Sequence, residues 1–231
     1  VADRVFVTGT GTEVGKTVVA ATIARTLAAE GKRVAVFKPA VTGLDEGAET
    51  DHALLRRASG SSQSDEEIAP YRYGPPASPH LAAAQAGEEI DPERLRSAAR
   101  AAAEAADVLV CEGVGGLLVP LAWRLDRAMR DKGANYLVRD LAVDLGLPVV
   151  VAASPGLGTI NHTLLTVESA RAAGLTVAAV VLTPWPEQLA AVESSNRETI
   201  ETIGETRVEV LPHLDLSARA TWPPMGLNLH I

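Results

Sequence analysis

The sequence predicts an α/β protein with a doubly wound, predominantly parallel sheet. Short apolar runs alternate with helical stretches along most of the 231 residues. Right-handed crossovers turn that β-α-β-α order into a sheet with helices on both faces. The runs 33–37, 107–111 and 147–152 are nearly continuous in Val, Ala and Leu, as strands buried on both faces are. The first apolar run, Arg4 to Thr8, passes directly through a Gly-rich turn into a helix.

Composition narrows the classes. A chain of this length fits one domain, 1–231. Hydrophobic residues make up 47% and aromatics only 3%, so the core must be built from Ala, Val and Leu. A net charge of −8 without a basic run argues against nucleic acid as a partner. The single cysteine, Cys111, excludes an internal disulfide and reads as buried packing. No apolar run approaches the roughly 20 residues of a membrane span, and no signal peptide is visible. The expectation is a soluble, cytoplasmic protein with no membrane partner.

The first strand ends in Gly9-Thr10-Gly11-Thr12-Glu13-Val14-Gly15-Lys16-Thr17, and a helix from Lys16 to about Ala29 follows. Strand, Gly-rich loop, Gly-Lys-Thr and helix form the context of a phosphate-binding loop. The first turn of a helix has amide groups without internal partners and carries partial positive charge. Glycines let the backbone close on an anion. Lys16 would reach the β- and γ-phosphates, and Thr17 would offer a hydroxyl to Mg²⁺. In the usual spacing Thr10 occupies the first glycine position, so the loop is a variant.

Gly31 stops the first helix, and the second strand, 33–37, ends in Lys38-Pro39-Ala40-Val41-Thr42-Gly43. Ligands of open α/β sheets sit beyond the carboxyl ends of the strands, so Lys38 and Thr42 share a rim with the loop. Position alone leaves Lys38 open between a solvated strand-end lysine and a cation facing developing negative charge. Asp51 precedes a helix over 52–58 and reads equally as its N-cap or as a metal ligand. Residues 59–80 form a long connection, rich in Ser, Gly and Pro, of the kind that is functional or mobile. Asp91-Pro92-Glu93 opens a helix that runs to about Ala106.

The third strand, 107–111, ends in Glu112-Gly113-Val114-Gly115-Gly116. A carboxylate at the tip of a buried strand beside glycines is hard to explain as packing, whereas an acid so placed reaches the Mg²⁺ of a nucleotide. Residues 120–135, with Arg124, Asp126, Arg127, Arg130, Asp131 and Lys132, read as a solvated helix or flap. A helix over 137–145 stops at Gly146. The fourth strand, 147–152, leads into a second Gly-rich strand-to-helix turn, 154–162, where Thr159 or Asn161 would cap, or an anion would bind. A fifth strand, 175–182, is broken at Thr183-Pro184-Trp185-Pro186. A helix over 187–203 and a short strand, 207–211, precede Pro212-His213-Leu214, and 215–231 read as a tail with little internal structure.

Assembled, these strand ends resemble dethiobiotin synthetases, P-loop NTPase-like three-layer enzymes. The resemblance runs from the first strand to about Leu214. It rests on Glu13-Val14-Gly15-Lys16-Thr17, Lys38-Pro39 with Thr42-Gly43, Asp51, Ser78-Pro79-His80, Glu112 to Gly116, and Gly158 to His162. It implies ATP- and Mg²⁺-dependent carboxylation and ring closure of 7,8-diaminopelargonic acid (7,8-diaminononanoate) in biotin biosynthesis, through a carbamate and a carbamic-phosphoric anhydride. It implies Lys16 and Lys38 as catalytic residues and Thr17, Asp51 and Glu112 as Mg²⁺ ligands. Nucleotide contacts would come from 13–18 (Glu13, Val14, Gly15, Lys16, Thr17, Val18), Asp51, 112–115 (Glu112, Gly113, Val114, Gly115), Thr183, Pro184, Pro212, His213 and Leu214. Substrate contacts would come from Thr12, Thr42, Gly158, Thr159, Ile160 and Asn161. In the family the last four reach across from a partner subunit, which implies a homodimer with active sites at the interface.

Two departures from the family pattern stand out. Gly11 replaces a common Asp, and 182–186 lack the Asn amide that reads the adenine edge in many members. Two other P-loop classes fit less well. A partitioning-type switch ATPase would carry a lysine where Gly11 stands. An amidotransferase-type synthetase of cobalamin metabolism would need a glutaminase domain with a cysteine nucleophile.

Overall fold

The computed structural model describes residues 3–47, 49–123 and 135–225. The elements run β1 (Asp3–Gly9), α1 (Lys16–Ala29), β2 (Val34–Phe37), α2 (Asp51–Ser59), α3 (Asp65–Ile68), α4 (Pro79–Gln85), α5 (Pro92–Glu104) and β3 (Val108–Gly116). They continue with β4 (Pro120–Trp123), β5 (Asn135–Leu137), α6 (Val138–Leu145), β6 (Val149–Ala153), α7 (Thr159–Ala172), β7 (Val177–Trp185), α8 (Ala191–Gly204) and β8 (Val208–Pro212). Six strands form one sheet in the order β2-β3-β1-β6-β7-β8, and every neighbouring pair in it is parallel. β4 and β5 form a separate antiparallel pair.

Strand alternation divides the core into two layers. Val5, Val7, Val34, Val36, Val108 and Val110 face one layer, with Val19, Ile23 and Leu27 of α1 and Leu54 and Leu55 of α2. Phe6, Ala35, Phe37, Leu109 and Cys111 face the other, with Leu95 of α5, Leu141 of α6, Val167 of α7 and Ile200 of α8. A period of two along each strand therefore places Lys38, after Val34 and Val36, on the α1/α2 face. It places Glu112, after Val108 and Val110, on the same face. Phe37 pairs in register with Cys111, so the next residues, Lys38 and Glu112, become neighbours.

Several expectations change. β3 does not end at Glu112 but runs to Gly116, so the carboxylate sits within a strand whose pairing to β1 resumes at Gly9 and Gly116. β7 is not broken after Leu182; it continues to Trp185, which pairs with Pro212. The connection 59–80 is not loose. The Gln63 side-chain amide accepts from Val36 N at 2.9 Å and donates to Val36 O at 3.1 Å, acting as one residue of a missing neighbour strand. Ile68, Ala69, Tyr71 and Tyr73 of the same connection are buried. α7 begins at Thr159, because Gly158 takes a left-handed φ of 91° and turns the chain directly into the helix.

The tail expectation fails for 215–225. That segment makes a 3₁₀ turn at Arg219–Thr221 and buries Trp222 and Met225 in the α1/α2 layer. Pro120–Trp123 is a strand, not part of a helix or flap. The charged run 124–134 and residues 226–231 lie outside the described residues.

Candidate active site

The loop runs from β1 directly into α1, which begins at Lys16. Among the described residues the backbone amides of Gly11 to Gly15 have no acceptor, whereas Thr10 N bonds Ala152 O of β6 at 3.0 Å. Glu13 takes φ 58° and Gly15 φ 83°, turning successive amides toward one side in the manner of an anion nest. A Cβ on Gly9 would lie 2.6 Å from Val14 Cγ2, and one on Gly15 would lie 2.5 Å from Thr183 Cγ2. The close approach of β7 to the loop thus demands glycine at position 15. The Lys16 ammonium folds back onto Gly11 O at 2.7 Å. Burial lowers its pKa from 10.5, with Lys38 adding to the effect and Glu112 and Asp51 opposing it.

Beside the loop, four side chains from four elements converge. Lys38 Nζ lies 2.8 Å from Asp51 Oδ2 and 2.8 Å from Glu112 Oε1, and 3.5 Å from Gly113 O. Thr17 Oγ1 lies 3.0 Å from Asp51 Oδ1 and 2.8 Å from Glu112 Oε1. Lys38 is 3% exposed and Glu112 is fully buried. The reading of Lys38 as a solvated strand-end lysine is excluded. Asp51 is not a cap either. Thr50 holds the cap position of α2, and Asp51 is its first helical residue, with its carboxylate turned to Lys38 and Thr17.

The charges divide unequally. Burial pulls the Lys38 ammonium down, but Glu112 and Asp51 together outweigh it, and its pKa rises. Burial pushes Asp51 up, yet Lys38, Thr17 and Lys16 hold it below the ordinary value. For Glu112 burial prevails over Lys38 and Thr17, and Asp51 adds to it, so this carboxyl is raised.

The oxygen set fits a hard divalent cation. One hydroxyl proton on Thr17 cannot serve two carboxylates at once, and buried Glu112 Oε2 has no hydrogen-bond partner. Among the described residues no group of three His, Cys, Asp or Glu side chains comes together. A cation here would therefore rest on Thr17, Asp51 and Glu112 and complete its shell from water or phosphate oxygens, as Mg²⁺ prefers.

The remaining sequence candidates distribute around this centre. Thr12 is exposed, and its hydroxyl lies 3.9 Å from where a Gly115 Cβ would stand. Val14 and Val18 pack at the edge of the α1/α2 layer. Thr183 lies buried against Gly15. Pro184 and Trp185 close β7 beside Pro212, after which His213 is exposed and Leu214 turns into the α1/α2 layer. Thr42 follows the bridge between Val41 and Arg72 and bonds to none of the cluster.

Gly158 to Asn161 stand apart, at the start of α7. Thr159 is buried, with its hydroxyl 3.2 Å from that of Thr163; neither it nor Asn161 caps the helix. Asn161 is exposed, and Leu157 beside it is 98% exposed. Sequence reasoning missed Gln63, which steadies β2 two residues before Lys38. A glutamine in a Ser-rich turn carries no signal for that role.

A family model described as an AAA domain matches residues 3–223. The chain is 41% identical over 217 residues to an ATP-dependent dethiobiotin synthetase of Anaeromyxobacter dehalogenans (strain 2CP-C), covering 93% of this chain and 92% of that one. It is 36% identical to the enzyme of that name from Aromatoleum aromaticum, covering 90% of each. It is 35% identical to the one from Bacillus subtilis (strain 168), covering 86% and 81%. Among solved structures it resembles the signal recognition particle 54 kDa protein of Aeropyrum pernix K1 in complex with GDP. The TM-score is 0.50 at 12% identity, over 92% of this chain and 42% of that one, a likeness of fold.

Proposed function

The chain belongs to the ATP-dependent dethiobiotin synthetase family, and on that premise we propose that it converts 7,8-diaminononanoate, CO₂ and ATP to dethiobiotin, ADP and phosphate. The observation that carries the reading is the Lys38 ammonium, buried and 2.8 Å from both Asp51 and Glu112, beside a loop of unpaired amides. Such a centre can place a fixed cation and a metal ion at a transferring phosphoryl group. The reaction then needs positioning and charge neutralisation more than covalent help from the protein.

One amine of the substrate adds to CO₂ and loses a proton, giving a carbamate. A carbamate oxygen takes the γ-phosphoryl group, and ADP leaves. The second amine attacks the carbamoyl carbon, closing the urea ring and expelling phosphate. Lys16 leaves Gly11 O for the γ-phosphate, and the amides of 11–15 hold the phosphate chain. Lys38 faces the carbamate and the phosphoryl oxygens. Thr17, Asp51 and Glu112 would hold Mg²⁺, which when bound supplies charge neutralisation to the phosphates.

The ends of β7 and β8, at 183–185 and 212–214, border the base. Thr12 and Thr42 flank the diamine. The first-turn amides of α7 and the Asn161 side chain suit the substrate's tail carboxylate. The exposure of Asn161 and of Leu157 fits delivery to the site of a second copy in a homodimer. Among the described residues no helix is long and apolar enough to cross a membrane.

The test is a coupled assay with purified protein, MgATP, bicarbonate and 7,8-diaminononanoate, with dethiobiotin detected by mass. Product that requires all four components is the expected result. Replacing ATP by CTP or GTP reads what Thr183-Pro184-Trp185 accept in place of the missing Asn. No product from folded, nucleotide-binding protein with any triphosphate would overturn the assignment.

A further inference from the structure

We propose that the segment 215–225 is a positioning strap that helps hold α2 against α1 and thereby keeps the Asp51 carboxylate at the metal-binding hydroxyl of Thr17. The inference rests on the reading of Asp51 as a Mg²⁺ ligand.

The three oxygen donors are not held alike. Glu112 sits within a paired strand, and Thr17 is fixed by the loop and the start of α1. Asp51 is the first residue of a nine-residue helix entered through left-handed turns at Gly43 and Gly47, and Thr50 contributes no side-chain cap. α2 packs directly on α1 through Leu54 and Leu55, and 215–225 ties the two helices together at the ends far from Asp51 and Thr17. On α1, Arg25 donates to Trp222 O and Ala220 O, both at 3.1 Å, and Thr26 Oγ1 accepts from Met225 N at 3.0 Å. On α2, Arg57 donates to Leu216 O at 2.9 Å, and Arg219 donates to Arg57 O.

The same Arg57 forks onto Glu49 at 2.9 and 2.7 Å, two residues ahead of Asp51. Trp222, 3% exposed, joins Leu54 and Leu55 in one core layer. Its indole N–H donates to Asp215 O at 2.8 Å, closing the strap on itself. Groups bonded directly to a metal ligand are worth about 10- to 100-fold in metal affinity; the strap acts one step further out, so cutting it is expected to cost the lower figure.

The experiment uses the full chain and Mn²⁺ as the probe, titrated into protein saturated with a non-hydrolysable ATP analogue and read by electron paramagnetic resonance. Arg57→Gln, on a half-exposed side chain that leaves the core intact, and Trp222→Ala are compared with Trp222→Phe as the conservative rescue. Expected are a Mn²⁺ dissociation constant raised about tenfold in the first two, near-normal values in Trp222→Phe, and unchanged metal-free nucleotide affinity. Hydrogen exchange at the α2 amides should quicken in the same variants while β3 stays protected. In an Asp51→Ala background, Arg57→Gln should cost no further metal affinity.

Unchanged α2 exchange in folded Arg57→Gln would overturn the strap, whatever binds the metal. So would an equal loss in the Asp51→Ala background. Failure of the metal reading shows separately, as a normal Mn²⁺ affinity in Asp51→Ala alone.

Discussion

The polar cluster formed after β2 and within β3 and the turn at the start of α7 lie on the same rim of the sheet, yet they are built in opposite ways. In the cluster, Asp51 and Thr17 bond to the buried pair Lys38 and Glu112. In the turn, Asn161 is exposed and Leu157 stands 98% in solvent. A group that must keep its charge and place through a phosphoryl transfer benefits from burial and fixed partners, because low dielectric strengthens each contact. A group proposed to meet its ligand from outside the fold has to remain accessible.

The comparison is broken most directly at Lys38. Lys38→Ala should lower kcat by about 10²- to 10³-fold, while the affinity for ATP, carried by the loop amides and Lys16, stays near normal. Wild-type turnover in that variant would mean the buried cation is structural. Glu112→Gln comes next. It keeps the shape but removes the charge and leaves an amide against Lys38, so kcat should fall on the order of 10²-fold and the Mg²⁺ concentration for half-activity should rise. A Mg²⁺ titration of initial rates checks both.

On the open side, Asn161→Ala should raise KM for the diamine about tenfold, the loss of one hydrogen bond to a charged group, with kcat almost unchanged. An equal fall in kcat would erase the distinction between the two regions. Leu157→Asp should leave the fold intact and shift the mass in solution toward a single chain, with activity becoming concentration-dependent. A monodisperse monomer in the parent protein would remove the shared-site reading.

The smallest effect sharpens the cluster side. His52, next to Asp51, is buried, and burial lowers its pKa below the ordinary 6.5, with Asp65 opposing and Arg72 and Arg56 adding to the shift. The unfolded chain takes up this proton as pH falls through 6.5, and the folded chain does so only lower. The unfolded state then binds more protons, so stability is lost on acidification through that window. Urea melts at pH 7.5 and 5.5 should show the loss, and His52→Gln should flatten it.

Much of this was legible in the residues. The loop, its helix from Lys16 to Ala29, the apolar parallel strands and the sharing of one rim by Lys38, Glu112 and Thr17 follow from local rules: periodicity, glycine geometry and the polarity of helix ends. These depend on near neighbours, which a sequence displays. Period two even implies the face on which Lys38 and Glu112 point.

Tertiary structure alone decided the rest. Register between β2 and β3 made Lys38 and Glu112 neighbours, and packing of α2 on α1 turned Asp51 from a prospective cap into a partner of Lys38. β7 ran on through Thr183 because Trp185 pairs with Pro212 of β8, and 215–225 became part of the core because Trp222 and Met225 joined the α1/α2 layer. Each outcome joins residues far apart in the chain, and whether such a contact forms depends on the competing surfaces present when the chain is folded. Local propensity carries no record of them.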